Sequence, residues 1–203
     1  MKVIELAESA LEKLRPAWGS LLSRSAADTV FLTWEWATAW WAVYGSAGGL
    51  RILAAYDDDG TLRGLALLRS HSVRRYGHNA PAFSFLGDGS NDSDYLDFIV
   101  EAGYESTVVK SFGRYLEAEL ARGSILLLNE IPDSSPNLPF LRTQLAAKNT
   151  ISIETTVACA TLKLPPTWEE YLGWLRPRFR TKVRSILRRF EGYPEVRFGF
   201  CAD

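Results

Sequence analysis

Residues 50–69, LRILAAYDDDGTLRGLALLR, predict a β-hairpin and therefore a fold that contains a sheet. Leu50 to Tyr56 and Leu62 to Arg69 are apolar runs of strand length. The intervening residues end in Gly60 and are typical of a tight turn, because glycine tolerates a positive φ. We expect two antiparallel strands here.

Two helices are predicted before the hairpin. Leu6 to Ser25 carries apolar residues at helical spacing, with Pro16 as an expected break. Thr33 is a predicted N-cap for a second helix that runs to Tyr44 and ends at Gly45.

After the hairpin, the sequence alternates between strand and helix patterns. The predicted strands are Phe83 to Leu86, Tyr95 to Val100, Ile125 to Ile131, one or two within Ile151 to Leu164, and Val196 to Phe200. The predicted helices of this region are Glu105 to Arg122 and Leu138 to Lys148. The order predicts the α/β (α+β) class, a mixed sheet with helices on its faces.

Four tryptophans lie within eight residues of the second helix: Trp34, Trp36, Trp40 and Trp41. They either belong to the core or form an aromatic platform for a sugar ring or an acyl chain. The core interpretation is favoured, since each ring buries a large area. If Trp40 points inward, Trp36 and Trp41 are the more exposed pair.

The last quarter of the chain predicts two short helices. Thr167 and Glu170 have the spacing of a capping box, so a helix is expected to begin at Thr167. Pro177 lacks an amide hydrogen and fits the first turn of a second helix.

The second of these helices is amphipathic and basic. Its apolar residues, Phe179, Val183, Ile186, Leu187 and Phe190, fall on one face. Arg180, Arg184 and Arg188 step by four along another face, and no acidic residue occurs between Arg176 and Phe190. The sequence leaves two interpretations open: a solvated surface, or a site for phosphate or a polyanion.

Composition and charge restrict the function classes. A hydrophobic share of 47%, a charged share of 23% and a net charge of −1 are typical of a globular protein, so the basic helix is a local feature and nucleic acid is not the expected partner. No apolar run is long enough to span a bilayer, and the acidic N-terminal residues do not resemble a signal peptide, so we expect a cytoplasmic protein. Cys159 and Cys201 are too few for a disulfide framework or a zinc site.

Catalytic motifs are not recognisable in the sequence. Gly-x-Ser-x-Gly, a phosphate loop and His-Glu-x-x-His do not occur. His71 and His78 have no carboxylate or thiol at ligand spacing, so no metal is expected. In the predicted strand, Asp94 and Asp97 face opposite sides and do not form an acid–base pair, whereas Tyr95 and Asp97 share a side.

Several segments together resemble one bacterial protein family. They are Phe31-Leu-Thr-Trp-Glu-Trp36, Ala39-Trp-Trp41, the strand pair around Asp57 to Gly60, Phe85-Leu-Gly87, Ser93-Asp-Tyr-Leu-Asp-Phe98, Ile131-Pro132 and Thr167-Trp-Glu-Glu-Tyr-Leu172 before an arginine-rich helix. Their order and spacing resemble the CelD/BcsL-type branch of the GNAT acyltransferases, which is associated with cellulose and exopolysaccharide synthesis and is similar to FemAB-type transferases. The resemblance covers the chain from Phe31 onward.

The resemblance implies a GNAT-like fold with a mixed, mostly antiparallel sheet, and two such units in tandem. Residues 1–165 would be the first unit, and residues 166–203 would open a second, truncated one. The family signature for pyrophosphate, Gln/Arg-x-x-Gly-x-Gly/Ala between a strand and a helix, does not occur here. The family's acyl-CoA loop is expected in the second unit, which makes this chain the non-cofactor half.

The resemblance also implies a function: acyl transfer from acetyl-CoA or another acyl-CoA to an amine or hydroxyl of a small-molecule or saccharide acceptor. Tyr95 and Asp97 are candidates for binding acceptor hydroxyls, and Trp41 for an aromatic contact. Arg180, Arg184 and Arg188 are candidates for an anionic part of acceptor or cofactor.

Two rival hypotheses remain from the sequence. The basic helix could bind an acidic partner or a polyanion without any catalysis. Alternatively, it is purely structural and is neutralised inside the fold by the acidic segment from Asp88 to Glu105.

Overall fold

The predicted hairpin lies at the centre of a six-stranded sheet in a computed structural model of the chain. The structure describes residues 1–45, 48–75, 77–88, 93–154, 158, 160–193, 195 and 197. It divides into two compact units, Met1–Ser152 and Ile153–Asp203. The sheet belongs to the first unit.

The strands of the first unit are β1 (Lys2–Leu6), β2 (Gly49–Tyr56), β3 (Leu62–Arg75), β4 (His78–Phe85), β5 (Ile99–Val100) and β6 (Ile125–Leu127). Its helices are α1 (Leu11–Leu22), α2 (Trp34–Tyr44), α3 (Glu105–Leu120) and α4 (Leu138–Ala146), and short 3₁₀ turns occupy Glu8–Ala10 and Val30–Leu32. The sheet order is β1-β2-β3-β4-β6, and β5 also pairs with β3. All pairs are antiparallel except β4 with β6.

β4 and β5 pair with different parts of the same edge of β3. β4 pairs with residues 68–75 of β3, whereas β5 pairs with Gly64 and Leu65. Residues 86–88 and 93–98, here called the interrupting loop, are the described part of the segment between these two strands. The loop therefore leaves the sheet where the parallel pairing of β4 with β6 ends.

Helices cover both faces of the sheet. A methyl group added to Gly64 on β3 would lie 2.4 Å from Val108 of α3. Arg69 points to the other face, where its guanidinium lies 5.6 Å from the centroid of the Trp40 ring of α2. A mostly antiparallel mixed sheet with helices on both faces confirms the predicted fold class.

The N-terminal prediction was partly wrong. β1 precedes α1, and its five residues are too few to show a clear strand period. Pro16 lies inside α1 without breaking it. The side chain of Pro16 is exposed, so the carbonyl that loses its helical hydrogen bond can face water, while burial of Leu14 and Trp18 holds the helix in place.

Other boundaries also differ from the predictions. Residues 95–98 are not in a strand, and the predicted strand from Ile125 ends at Leu127. Among the described residues of 151–164 there is no strand. Of the predicted strand at Val196 to Phe200, all but Arg197 lie outside the described residues. The hairpin, α2, α3 and α4 were predicted correctly within a few residues.

The second unit contains the two predicted helices, α5 (Trp168–Trp174) and α6 (Pro177–Glu191). The hydroxyl of Thr167 accepts a hydrogen bond from the Glu170 amide, which confirms the predicted N-cap. Pro177 occupies the first position of α6, as expected. The side chains of Phe179, Ile186, Leu187 and Phe190 are 40–52% exposed in the structure.

A pair of glycine substitutions tests the packing of α3 on the sheet. Gly64→Ala should lower the free energy of unfolding by about 1–3 kcal/mol, because its methyl group would overlap Val108. Gly19→Ala in α1 has no atom within 4 Å of the new methyl group, so it should leave stability unchanged or raise it by about 0.5–1 kcal/mol. Urea unfolding measures both. Equal effects of the two variants would contradict the described packing.

Candidate functional site

α2 positions its tryptophans at three different places in the fold. Trp40 is 4% exposed and belongs to the core, as the core interpretation predicted. The Trp34 indole donates to the Leu11 carbonyl at 2.9 Å. The Trp36 indole donates to the Ser93 hydroxyl at 2.9 Å, which holds the interrupting loop against α2. Trp41 is half-buried and packs against the core.

The interrupting loop needs unusual backbone geometry at its described ends. Gly87 has φ +101, and a methyl group there would lie 2.7 Å from the Ser93 hydroxyl. Tyr95 has φ +52, which is uncommon for a residue other than glycine. The Tyr95 side chain is 40% exposed. Because residues 95–98 are not in a strand, the alternation of a strand does not place Tyr95 and Asp97 on the same side.

Asp97 is buried at the end of the interrupting loop and is 4% exposed. One carboxylate oxygen accepts from the Phe98 amide at 2.7 Å, and the other accepts from the Ser135 hydroxyl at 2.5 Å. The Asn137 amide group donates to the Phe98 carbonyl at 2.9 Å, while its own side-chain oxygen is buried without a partner. Burial raises the pKa of Asp97, and the hydrogen bonds from Ser135 and Asn137 oppose that rise.

A second polar contact lies nearer to the ends of β4 and β6. The Asn129 amide donates to the Asp88 carboxylate at 2.9 Å. Asp88 follows β4, and Asn129 follows β6. A polar contact thus joins the turn after β4 to the segment that follows β6.

Sequence reasoning missed Asn129, Ser135 and Asn137. They lie in the segment after β6 that was predicted as a loop or as the end of a strand. The positive φ of Glu130, +62, turns the chain there. The residues from Pro132 to Pro136 are typical of a loop. The contact of Ser135 with Asp97 was not predictable, because Asp97 lies 38 residues earlier in the chain.

The start of α3 is surrounded by carboxylates. Glu105, in the first turn, accepts a hydrogen bond from the Gly103 amide at 2.9 Å. Glu101 accepts from Arg63 at 2.7 Å and from Arg24 at 3.1 Å. Burial opposes ionisation of Glu101, but the two arginines outweigh it and lower its pKa. Arg63 also donates to Asp57 at 2.6 Å, so both arginines near this helix start are already paired with carboxylates.

The arginines of α6 contact α5. Arg180 donates to the carbonyls of Gly173 and Leu175, at 2.8 and 3.0 Å. Arg184 pairs with Glu169 at 3.2 Å, and Arg188 donates to the Arg184 carbonyl at 3.3 Å. The expectation that these positive charges have no local partner was wrong for Arg184. Glu169 belongs to α5 and precedes the stretch from Arg176 to Phe190, in which no acidic residue occurs.

Two absences apply to the part of the chain that the structure describes. No helix there is both long enough and apolar enough to cross a membrane. No three histidine, cysteine or acidic side chains in the same part are grouped as metal ligands.

Comparison with solved structures shows the fold of the GNAT acetyltransferases. An aminoglycoside acetyltransferase from an uncultured soil metagenomic sample, solved in complex with trehalose, has a TM-score of 0.50 and 15% identity, covering 80% of this chain and 96% of that chain. A probable acetyltransferase gives 0.47 and 10%, covering 81% and 100%. A ribosomal-protein-alanine N-acetyltransferase from Brucella melitensis biovar Abortus 2308 gives 0.43 and 15%, covering 78% and 100%.

Sequence comparison adds no family assignment. The chain matches no family model and no curated protein. The similarity to the aminoglycoside acetyltransferase, at 15% identity, therefore shows a GNAT fold and nothing finer.

The residues of the first unit do not fit an acyl-CoA pyrophosphate at the start of α3. A helix start attracts phosphate through its free amide groups and its positive dipole end. Here Glu105 places negative charge in the first turn, Glu101 is already paired with Arg63 and Arg24, and the sequence between β5 and α3 does not contain the family signature. A diphosphate would face the Glu105 carboxylate.

The raised pKa of Asp97 predicts a pH dependence of stability. Because the folded protein binds this proton more tightly than the unfolded chain, whose ordinary pKa is 3.8, the stabilisation is fully present below pH 3.8. It is lost as the pH rises through the folded-state pKa. Asp97→Asn has no such titration.

Urea unfolding of both proteins between about pH 4 and about pH 7 measures this effect. The free energy of unfolding of the wild type minus that of Asp97→Asn should fall as the pH rises. The subtraction removes the opposite contribution of Glu101, whose pKa is lowered. A difference that stays constant or rises would show that the Asp97 carboxyl is not buried as described.

The contact of Arg180 with the end of α5 predicts a local effect on stability. Arg180→Gln should remove a net contribution on the order of 1 kcal/mol and speed hydrogen exchange of the α5 and α6 amides. Arg178→Gln, at an exposed position of the same helix, is the matched control. If both variants exchange at the wild-type rate, Arg180 does not hold α5.

Proposed function

We propose that this chain is the acceptor-side part of a GNAT-type acyltransferase that moves an acyl group from acyl-CoA to an amine or hydroxyl. The observation that supports it best is a GNAT fold in which the first turn of α3 carries Glu105 and the sequence between β5 and α3 lacks the family signature for pyrophosphate. Such a unit would keep the scaffold of the fold without the usual place for the diphosphate.

In this proposal the interrupting loop presents the acceptor. Tyr95 is exposed at the surface and can exchange hydrogen bonds with acceptor hydroxyls. Asp97 acts indirectly: both of its oxygens are occupied, so it holds the loop in place. Trp41, half-buried on α2, would supply an aromatic contact. The resemblance to proteins of exopolysaccharide synthesis suggests a saccharide or another cell-envelope acceptor.

The second unit would belong to a further GNAT-like unit that binds the acyl-CoA. α6 buries none of its residues in the structure, although Phe179, Ile186, Leu187 and Phe190 form an apolar face. Such a face is typical of a helix that packs on a sheet. Of the three candidate arginines, Arg188 is the one that could approach an anionic part of acceptor or cofactor there, because Arg180 and Arg184 are engaged with α5.

A second candidate function is supported by another part of α6. Arg178, Lys182 and Arg189 lie along one flank of the apolar face, and the described residues give them no ion-pair partner. A partner with acidic groups could bind this flank without any catalysis. Steep weakening of binding by added salt would favour this candidate.

Calorimetric titration with acetyl-CoA tests the leading proposal. Residues 1–203 should show no saturable binding up to about millimolar acetyl-CoA. Without a site for the diphosphate, the binding free energy should be weaker than the roughly 4 kcal/mol of a millimolar complex. The full-length protein should bind acetyl-CoA and acylate an acceptor. CoA and a nucleotide polyphosphate serve as controls for non-specific binding of phosphate.

Two outcomes would contradict the proposal. Saturable binding by residues 1–203 that depends on the pantetheine part would place a cofactor site in this chain. A full-length protein that neither binds acetyl-CoA nor transfers its acyl group would exclude acyl transfer altogether.

A further inference from the structure

The outer half of the hairpin formed by β3 and β4 carries a basic face. Arg69, His71 and Arg75 alternate along β3 and therefore point to the same side of the sheet. His78 on β4 lies directly opposite Arg75 and shares that side. The contact of Arg69 with Trp40 identifies it as the side covered by α2. No acidic residue occurs in either strand.

Arg69 is half-buried, and no carboxylate of the described residues pairs with it. Its Nε is buried without a hydrogen-bond partner, and within the described residues its guanidinium forms no ion pair. The described contact of its guanidinium is a cation–π contact with the Trp40 ring. By contrast, Arg63 and Arg51 each pair with carboxylates at 2.6 Å. A partly buried guanidinium without a counter-charge is unfavourable, and a bound oxyanion would remove that penalty.

Two further polar groups lie beside Arg69. Ser84 on β4 is directly opposite Arg69 and is 2% exposed. The Ser84 hydroxyl lies 3.4 Å from Nδ1 of His71, which leaves the other ring nitrogen of His71 available as a donor or acceptor. Arg69, His71 and Ser84 thus form a compact group on one face, with Arg75 and His78 further along the hairpin.

This group lies close to the interrupting loop. Trp36 and Trp40 are four residues apart on α2, so they share a face and are about one turn, roughly 5–6 Å, apart. Trp36 contacts Ser93 of the loop, and Trp40 contacts Arg69. An acceptor held by the loop near Tyr95 would therefore have Arg69 within the length of a sugar unit or two.

We propose that Arg69 and His71 bind an oxyanion of the ligand, a phosphate ester or a carboxylate, so that the acceptor of this unit is an anionic molecule. The acceptor role rests on the proposed function, but the anion site itself does not. Arg69 supplies the bidentate contact and His71 the second donor.

Titration of residues 1–203 with three probes at low salt tests the site: glucose 6-phosphate, glucuronate and glucose. At least one of the two anions should bind with saturation, and glucose should not. Arg69→Gln should weaken the binding by about tenfold or more, and Arg69→Lys by less, because lysine keeps the charge but loses the planar fork. Arg114→Gln, exposed on α3 across the sheet, should bind like the wild type.

The outcomes separate the site from the acyltransferase proposal. Preference for glucose 6-phosphate over glucuronate, or the reverse, identifies the oxyanion. Equal affinity of Arg69→Gln and wild type, equal binding of glucose, or no binding of either anion would overturn the site, provided that circular dichroism shows folded variants. None of these results depends on acyl-CoA, so acyl transfer by the full-length protein to a neutral acceptor would still support the proposed function.

Discussion

The buried carboxylate of Asp97 joins two segments that are far apart in sequence. Through Ser135 and the Phe98 backbone it connects the interrupting loop to the segment after β6. A buried carboxylate is tolerated only when its oxygens are hydrogen-bonded, so Ser135 and the Phe98 amide must stay where they are. The exposed position of Tyr95, two residues before Asp97, depends on this contact.

The start of α3 carries Glu105 in its first turn, and this carboxylate opposes the binding of a phosphate there. Positive charge lies instead on the opposite face, around Arg69, and on α6 in the second unit. The distribution of charge is therefore consistent with a unit that binds an anionic acceptor and leaves the acyl donor to another part of the protein.

Local chemistry explains which parts of the fold were predictable from the sequence. The hairpin followed from Gly60, and α2, α5 and α6 from Thr33, Thr167 and Pro177, because turn and cap residues act on neighbours within a few positions. β1 and the pairing of β5 with β3 were not predictable, since strands of five and two residues depend on partners far away in sequence.

The candidate site was less predictable for the same reason. Asp97 and Ser135 are 38 residues apart, and Arg184 meets Glu169 only because α5 folds back on α6. Tyr95 was named from the sequence, but its positive φ contradicts the strand that had been assumed there. Arg69 could not be recognised because nothing in a strand sequence shows which arginine lacks a carboxylate.

Hydrogen exchange with and without acetyl-CoA, on the longer protein that we propose, shows directly whether this GNAT-fold unit holds the acyl donor. Acetyl-CoA should slow exchange only outside residues 1–152. Protection of the amides at residues 103–108, at the start of α3, or at residues 129–137 would contradict it, because those are the groups that a donor bound to this unit would cover.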